Sequence, residues 1–243
     1  MTTISEQSAI SFDDALADEV DVVVIGGGII GVCSAFYLAG LGKRVMLCEK
    51  GIVAGEQSSR NWGWIRQHAR DEAELPIMME SNRLWQGLTV EVGEDLGFRQ
   101  EGVLYLASSE KKMAKRELWL DIAKRHQLQS HVLNARQVAD ITGAPLNQWC
   151  GGVVTPSDGR AEPWVAVPAI ARACSRRGVK IKEHCAVRQL ELTDGQIHGV
   201  VTEHGVIKCH RVVLATGAWS SLFAGNMNIK LPQLSVRLSL IHI

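Results

Sequence analysis

Val20-Asp21-Val22-Val23-Val24-Ile25-Gly26-Gly27-Gly28-Ile29-Ile30-Gly31 decides how the chain opens. The first six residues are short, β-branched and apolar, which predicts a buried strand. They run straight into G-x-G-x-x-G, and a helix is predicted over Val32–Leu41. Ala35 and Ala39 follow Gly31 at four-residue steps, small enough to let that helix lie close on a sheet. Gly42 stands where a glycine ends a helix, and Lys43–Cys48 reads as a second strand running up to Glu49. In a dinucleotide site each glycine has a mechanical task. Gly26 permits the tight turn, Gly28 lets backbone approach a pyrophosphate, and Gly31 allows close helix–strand packing. The helix N-terminus offers unpaired amides and a partial positive charge to phosphate. Glu49, 18 residues after Gly31, is placed to accept hydrogen bonds from an adenosine ribose. A glycine-rich turn in an unrelated α/β domain is the plainer alternative, and the acid at the strand end argues against it.

Composition narrows the class. The length, 243 residues, suits one large domain or two small ones. With 46% apolar and 21% charged residues, a disordered chain is excluded. Basic and acidic residues number 26 each, so no global field draws in nucleic acid or anionic membrane. No apolar run approaches the roughly 18 residues of a membrane helix. The six cysteines form no C-x-x-C pair, which leaves neither a zinc spacing nor a disulfide framework. His204, Cys209 and His210 lack a second ligand pair, so no metal is expected. Reduced thiols point to the cytoplasm. Met1–Asp21 is acidic, without Lys or Arg, and does not read as a secretory signal.

Further along, Arg211–Trp219 reads as another strand, ending in a Thr-Gly turn. Gly178–Ile181 and Ala186–Leu192 read as strands of a returning sheet. The chain therefore leaves the dinucleotide unit after about Arg66 and resumes it near Arg160. A simple NAD dehydrogenase would keep that unit contiguous. Between lie helical stretches over Leu75–Val92 and Glu110–Gln127, the second with Lys111, Lys112, Lys115, Arg116, Lys124 and Arg125 on a solvated face. Glu101–Ala107 alternates as a strand, and Asn134 caps a short helix to Ile141. Glu162–Arg177 is a helix opened by Pro163.

Five stretches together resemble the FAD-dependent amino-acid and amine oxidoreductases of the D-amino-acid oxidase, glycine oxidase and sarcosine oxidase type. They are VVVIGGGIIG (Val22–Gly31), GEQSSRNWGWIRQ (Gly55–Gln67), EGVLYLA (Glu101–Ala107), DGRAEPWVAVPAIARA (Asp158–Ala173) and VVLATGAWS (Val212–Ser220). The resemblance implies an α/β fold: a Rossmann-like FAD-binding domain of the glutathione-reductase type with a partial α+β substrate domain. The implied division is a polar extension (1–19), FAD-binding segments (20–97 and 157–237), a substrate segment (98–156) and a doubtful terminus (238–243). Family members run well beyond 243 residues, so the chain reads as truncated at its C-terminus.

By the same resemblance, Gly26, Gly28 and Gly31 surround the FAD pyrophosphate and Glu49 meets the adenosine ribose. Ser58 and Ser59 lie near the phosphates or ribityl chain, or are plain loop residues. Val187 meets adenine through its backbone, and Thr216 and Gly217 close over the cofactor. Some relatives attach flavin to a histidine near the place of Pro163; none stands there, so non-covalent FAD is implied. Arg66 matches an arginine near the substrate carboxylate, with a surface salt bridge as its alternative. His68, beside Arg70 and Asp71, reads first as a surface residue and second as a base near the flavin. Trp62 and Trp64 are ordinary packing or the walls of an apolar substrate cavity.

The implied reaction oxidises the C–N bond of an amino acid or secondary amine (D-amino acid, glycine, sarcosine or opine-like) to an imine. Oxygen or another acceptor takes the electrons. Two other readings stay open: a catalytically silent flavin-binding fragment or subunit, and an NAD-linked dehydrogenase.

Overall fold

The computed structural model of the chain describes residues 4, 5 and 7–236; the expectations on Leu238–Ile243 lie outside them. The chain divides into two compact units. The first takes the described residues of Met1–Asn61, Val92–Leu96 and Pro163–Ile243, the second Trp62–Glu91 and Gly97–Glu162.

At the centre of the first unit, β1 (Val22–Ile25) pairs in parallel with β2 (Val45–Cys48) on one side and β12 (Arg211–Leu214) on the other. β8 (Lys180–Lys182) extends the sheet beyond β2, giving the order β12-β1-β2-β8. α1 (Ile29–Gly40) and α5 (Pro163–Arg176) cover one face, where the Cys174 thiol reaches the Val32 carbonyl at 3.3 Å. The other face carries Val23, Ile25, Met46 and Cys48 into a shared core with Val187, Val200 and Ile207. Those come from an antiparallel sheet of β9 (Val187–Thr193), β10 (Gln196–Thr202) and β11 (Gly205–Lys208). Burial on both faces is why Val22–Ile25 is one unbroken apolar run.

The expected strand over Ala186–Leu192 is present as β9, but it lies in this antiparallel sheet and not in one sheet with β8. Along β9 Val187 is buried and Leu190 packs against the same core, while Arg188, Gln189, Leu192 and Thr193 are exposed, as on a sheet with one wet face. The acidic N-terminal segment also has a definite place. Asp14 N–H donates to the Ile181 carbonyl (3.1 Å), Ile181 N–H returns to Asp14 Oδ2 (2.8 Å), and Ala17 and Val20 enter the core. The segment thereby covers the open edge of β8.

In the second unit, β4 (Val103–Ala107), β6 (Gly151–Thr155) and β5 (His131–Asn134) form an antiparallel sheet in the order β4-β6-β5. α3 (Glu110–Arg125) packs Met113, Trp119 and Ala123 against its Ala107 and Val153. α3 starts on a Ser109 cap and ends in Lys124 and Arg125, matching its dipole at both ends. Arg116 departs from the expected solvated face: its guanidinium lies 5.0 Å from the Tyr105 ring. α4 (Ala135–Thr142) opens on a capping box between Asn134 and Gln137. β3 (Trp64–Ile65) pairs with β7 (Gly159–Arg160), and α2 spans Leu75–Val92. The β3–β7 pairing joins the residues just after Trp62 to those just before Glu162 within this unit. Among the described residues, no helix is long and apolar enough to cross a membrane.

Candidate functional site

Because β1 and β12 are parallel neighbours, the turns that follow them leave the same end of the sheet, where open α/β sheets bind ligands. The two turns touch. Ala215 N–H donates to the Ile25 carbonyl at 2.9 Å, and a Cβ on Gly26 (φ +110°) would stand 2.4 Å from the Ala215 carbonyl oxygen. A Cβ on Gly31 would stand 1.8 Å from the Gly26 carbonyl oxygen. Neither place admits a side chain.

Between the turns lies a cavity of about 700 Å³. Gly26, Gly28, Glu49, Ser58, Val187, Thr216 and Gly217 line it. Gly31 and Ser59 are not among its walls. Gly31 packs behind the glycine turn, and Ser59 is buried with its hydroxyl 3.4 Å from the Glu56 carbonyl.

The Glu49 carboxylate is fixed by two backbone donors, Gly27 N–H to Oε2 at 2.6 Å and Gly51 N–H to Oε1 at 2.8 Å. A carboxylate has about four lone-pair sites, so acceptor capacity remains on the cavity side. Gly28, the N-cap of α1, has no side chain with which to cap; Ser58 does it instead, its Oγ accepting from Ile29 N–H at 2.9 Å. Ser58 is thus more than a loop residue. Sequence reading missed the cations of this wall. Lys50 Nζ lies 4.1 Å over the Trp219 ring and 3.4 Å from Glu56, which Arg60 also meets at 3.0 Å. The available signal was position: Lys50 directly follows the strand-end acid, as Arg188 follows Val187.

The second unit holds Arg66. Its guanidinium donates to the His68 carbonyl and lies 5.5 Å from the Trp64 ring and 6.0 Å from the Tyr105 ring. His68 is not a surface residue. It is 1% exposed, stacked between Tyr105 (4.3 Å) and Trp119 (5.3 Å), with Nδ1 2.9 Å from Thr155 Oγ1. Burial, then the Arg66 and Arg116 cations, hold its pKa down at about 4. It is a neutral core imidazole at neutral pH. The Trp62 and Trp64 rings lie 5.2 Å apart with their planes inclined at 55°, and both are exposed.

The family model described as "FAD dependent oxidoreductase" (DAO) matches residues 21–243. The chain belongs to that family. FAD-dependent oxidoreductases similar to it include glycine oxidase of Bacillus subtilis, 32% identical over 84% of this chain and 55% of the relative. Human mitochondrial sarcosine dehydrogenase is 28% identical over 89% of this chain and 24% of the relative. Among solved structures, L-amino acid deaminase of Proteus myxofaciens superposes with a TM-score of 0.86 at 36% identity. It matches 92% of this chain and 51% of that one. The chain therefore spans between a quarter and about half the length of these relatives. As in other members of the FAD-dependent oxidoreductase family, the cofactor is FAD. The cleft fits it: bare backbone at Gly26, a fixed acid at Glu49, nearby cations, and a volume in the range of small-molecule sites.

Proposed function

We propose that the first unit holds FAD non-covalently through Gly26, Gly28, Glu49, Ser58, Val187, Thr216 and Gly217, with Gly31 and Ser59 supporting that wall. We propose further that Arg66 binds the carboxylate of an amino-acid or amine substrate whose C–N bond is oxidised to an imine. The observation that carries this reading is the contact between the Gly26 turn and the Ala215 turn, which makes one cleft beside Glu49.

In this reading the glycine turn and the first-turn amides of α1 take the pyrophosphate, with Lys50 and Arg60 offsetting its charge. Glu49 accepts from the adenosine ribose. FAD, when bound, accepts the two electrons of the oxidation. Arg66 clamps the carboxylate by a forked pair of bonds and so orients the substrate's amine-bearing carbon. Its positive charge also disfavours the ammonium form of the amine. The imine hydrolyses in water, and oxygen or another acceptor takes the electrons onward. Six free thiols fit a reducing compartment, and we place the protein in the cytoplasm.

The test is turnover of the FAD-loaded chain on D-amino acids, glycine, sarcosine and opines with an artificial electron acceptor. At least one substrate should turn over, and Arg66→Gln should lower kcat/KM roughly a hundredfold, the loss of a charged hydrogen-bonding pair. Flavin binding without turnover on any of them would instead favour a silent flavin-binding protein.

A further inference from the structure

We infer that Asp158 is the positioning residue for Arg66, acting through the backbone of Gln67 and His68. This rests on the assignment of Arg66 to the substrate carboxylate.

Asp158 is fully buried and lies one residue before β7, beside the end of β3. Its two oxygens take up the loop that carries Arg66. Oδ1 accepts from Gln67 N–H at 2.7 Å and from Gln67 Nε2 at 3.1 Å; Oδ2 accepts from His68 N–H at 3.0 Å. The carbonyl of that same His68 accepts from the Arg66 guanidinium. One carboxylate therefore fixes the residue whose other backbone group holds the arginine.

The anchor itself is rigid. Gly102 N–H donates to the Asp158 carbonyl at 2.9 Å, and the neighbouring Ser157 carbonyl accepts from Asn82 Nδ2 at 2.9 Å and Gln100 Nε2 at 2.7 Å. The held segment is not relaxed. Ala69, directly after His68, has φ +56°, a left-handed conformation that an alanine keeps only where its surroundings impose it. A long arginine side chain has many rotamers, and an unfixed His68 carbonyl would release it among them. The site also requires a carboxylate. An asparagine offers one acceptor oxygen and would turn an N–H₂ toward the second backbone donor.

The experiment is calorimetric titration of the FAD-loaded full chain with benzoate, with benzamide as the uncharged control. Arg66→Gln and Asp158→Asn should each weaken benzoate binding, the latter about tenfold, from loss of a charge-assisted bond. The double variant should bind no more weakly than Arg66→Gln alone, because both changes remove one interaction. Asp158→Glu, which keeps charge and both oxygens, carries the same test if Asp158→Asn does not fold; it should weaken benzoate a few-fold and leave benzamide unchanged. Additive losses, or equal losses for benzoate and benzamide, would overturn the positioning role. Wild-type affinity in the Asp158 variants beside a weakened Arg66→Gln would overturn it alone. Wild-type affinity in Arg66→Gln would overturn the Arg66 assignment and this inference with it.

Discussion

His68 shows what a single residue owes to its surroundings. Unfolded, it takes up a proton near pH 6.5; in the folded chain burial and two arginines delay that to about 4. The unfolded state therefore binds more protons between these values. Its contribution to stability is complete above pH 6.5 and is lost as pH falls toward 4. From pH 7.5 to 5 the loss should be about 2 kcal/mol. Urea unfolding at the two pH values checks this, and His68→Phe, which keeps a stacking ring without the proton, should remove that share of the difference; an unchanged difference would contradict it. None of this was readable locally, since Tyr105, Trp119 and Thr155 arrive from other elements. Gly31 was readable, because a glycine's absence of side chain is itself the signal. Gly31→Ala drives a Cβ into the Gly26 carbonyl, and we expect a loss of 3 kcal/mol or more, as for severe overpacking, seen as a lowered melting temperature and lost FAD binding.

Elements were legible where their cause is local. α1 between two apolar strands, the Asn134 cap and the Pro163 start all follow from neighbouring residues. The N-terminal segment was opaque because its composition is polar and its anchor is remote. Glu183, 2% exposed, accepts from Ser11 N–H (2.6 Å), Phe12 N–H (3.2 Å) and Val53 N–H (2.8 Å). Glutamine there supplies one acceptor for two opposed sets of donors. Glu183→Gln should cost about 2 kcal/mol, the penalty of a buried unpaired donor, and loosen the strap over β8. Thermal melting reads the first and amide hydrogen exchange at Ser11 and Phe12 the second; unchanged exchange would refute the strap.

For the whole molecule, the pairing of β3 with β7 across almost a hundred residues left no local sign in the sequence. The two turns were legible because each follows an apolar strand, whereas Lys50 and Arg188 were missed because a lone cation next to a candidate site residue has no unique meaning in a string. The most direct measurement is titration of FAD with the purified chain, followed by flavin fluorescence. Saturable one-to-one binding is predicted, with Glu49→Gln weakening it about tenfold through the lost charged acceptor. A folded chain that leaves flavin fluorescence unchanged, or that takes NADH in its place, would contradict the account.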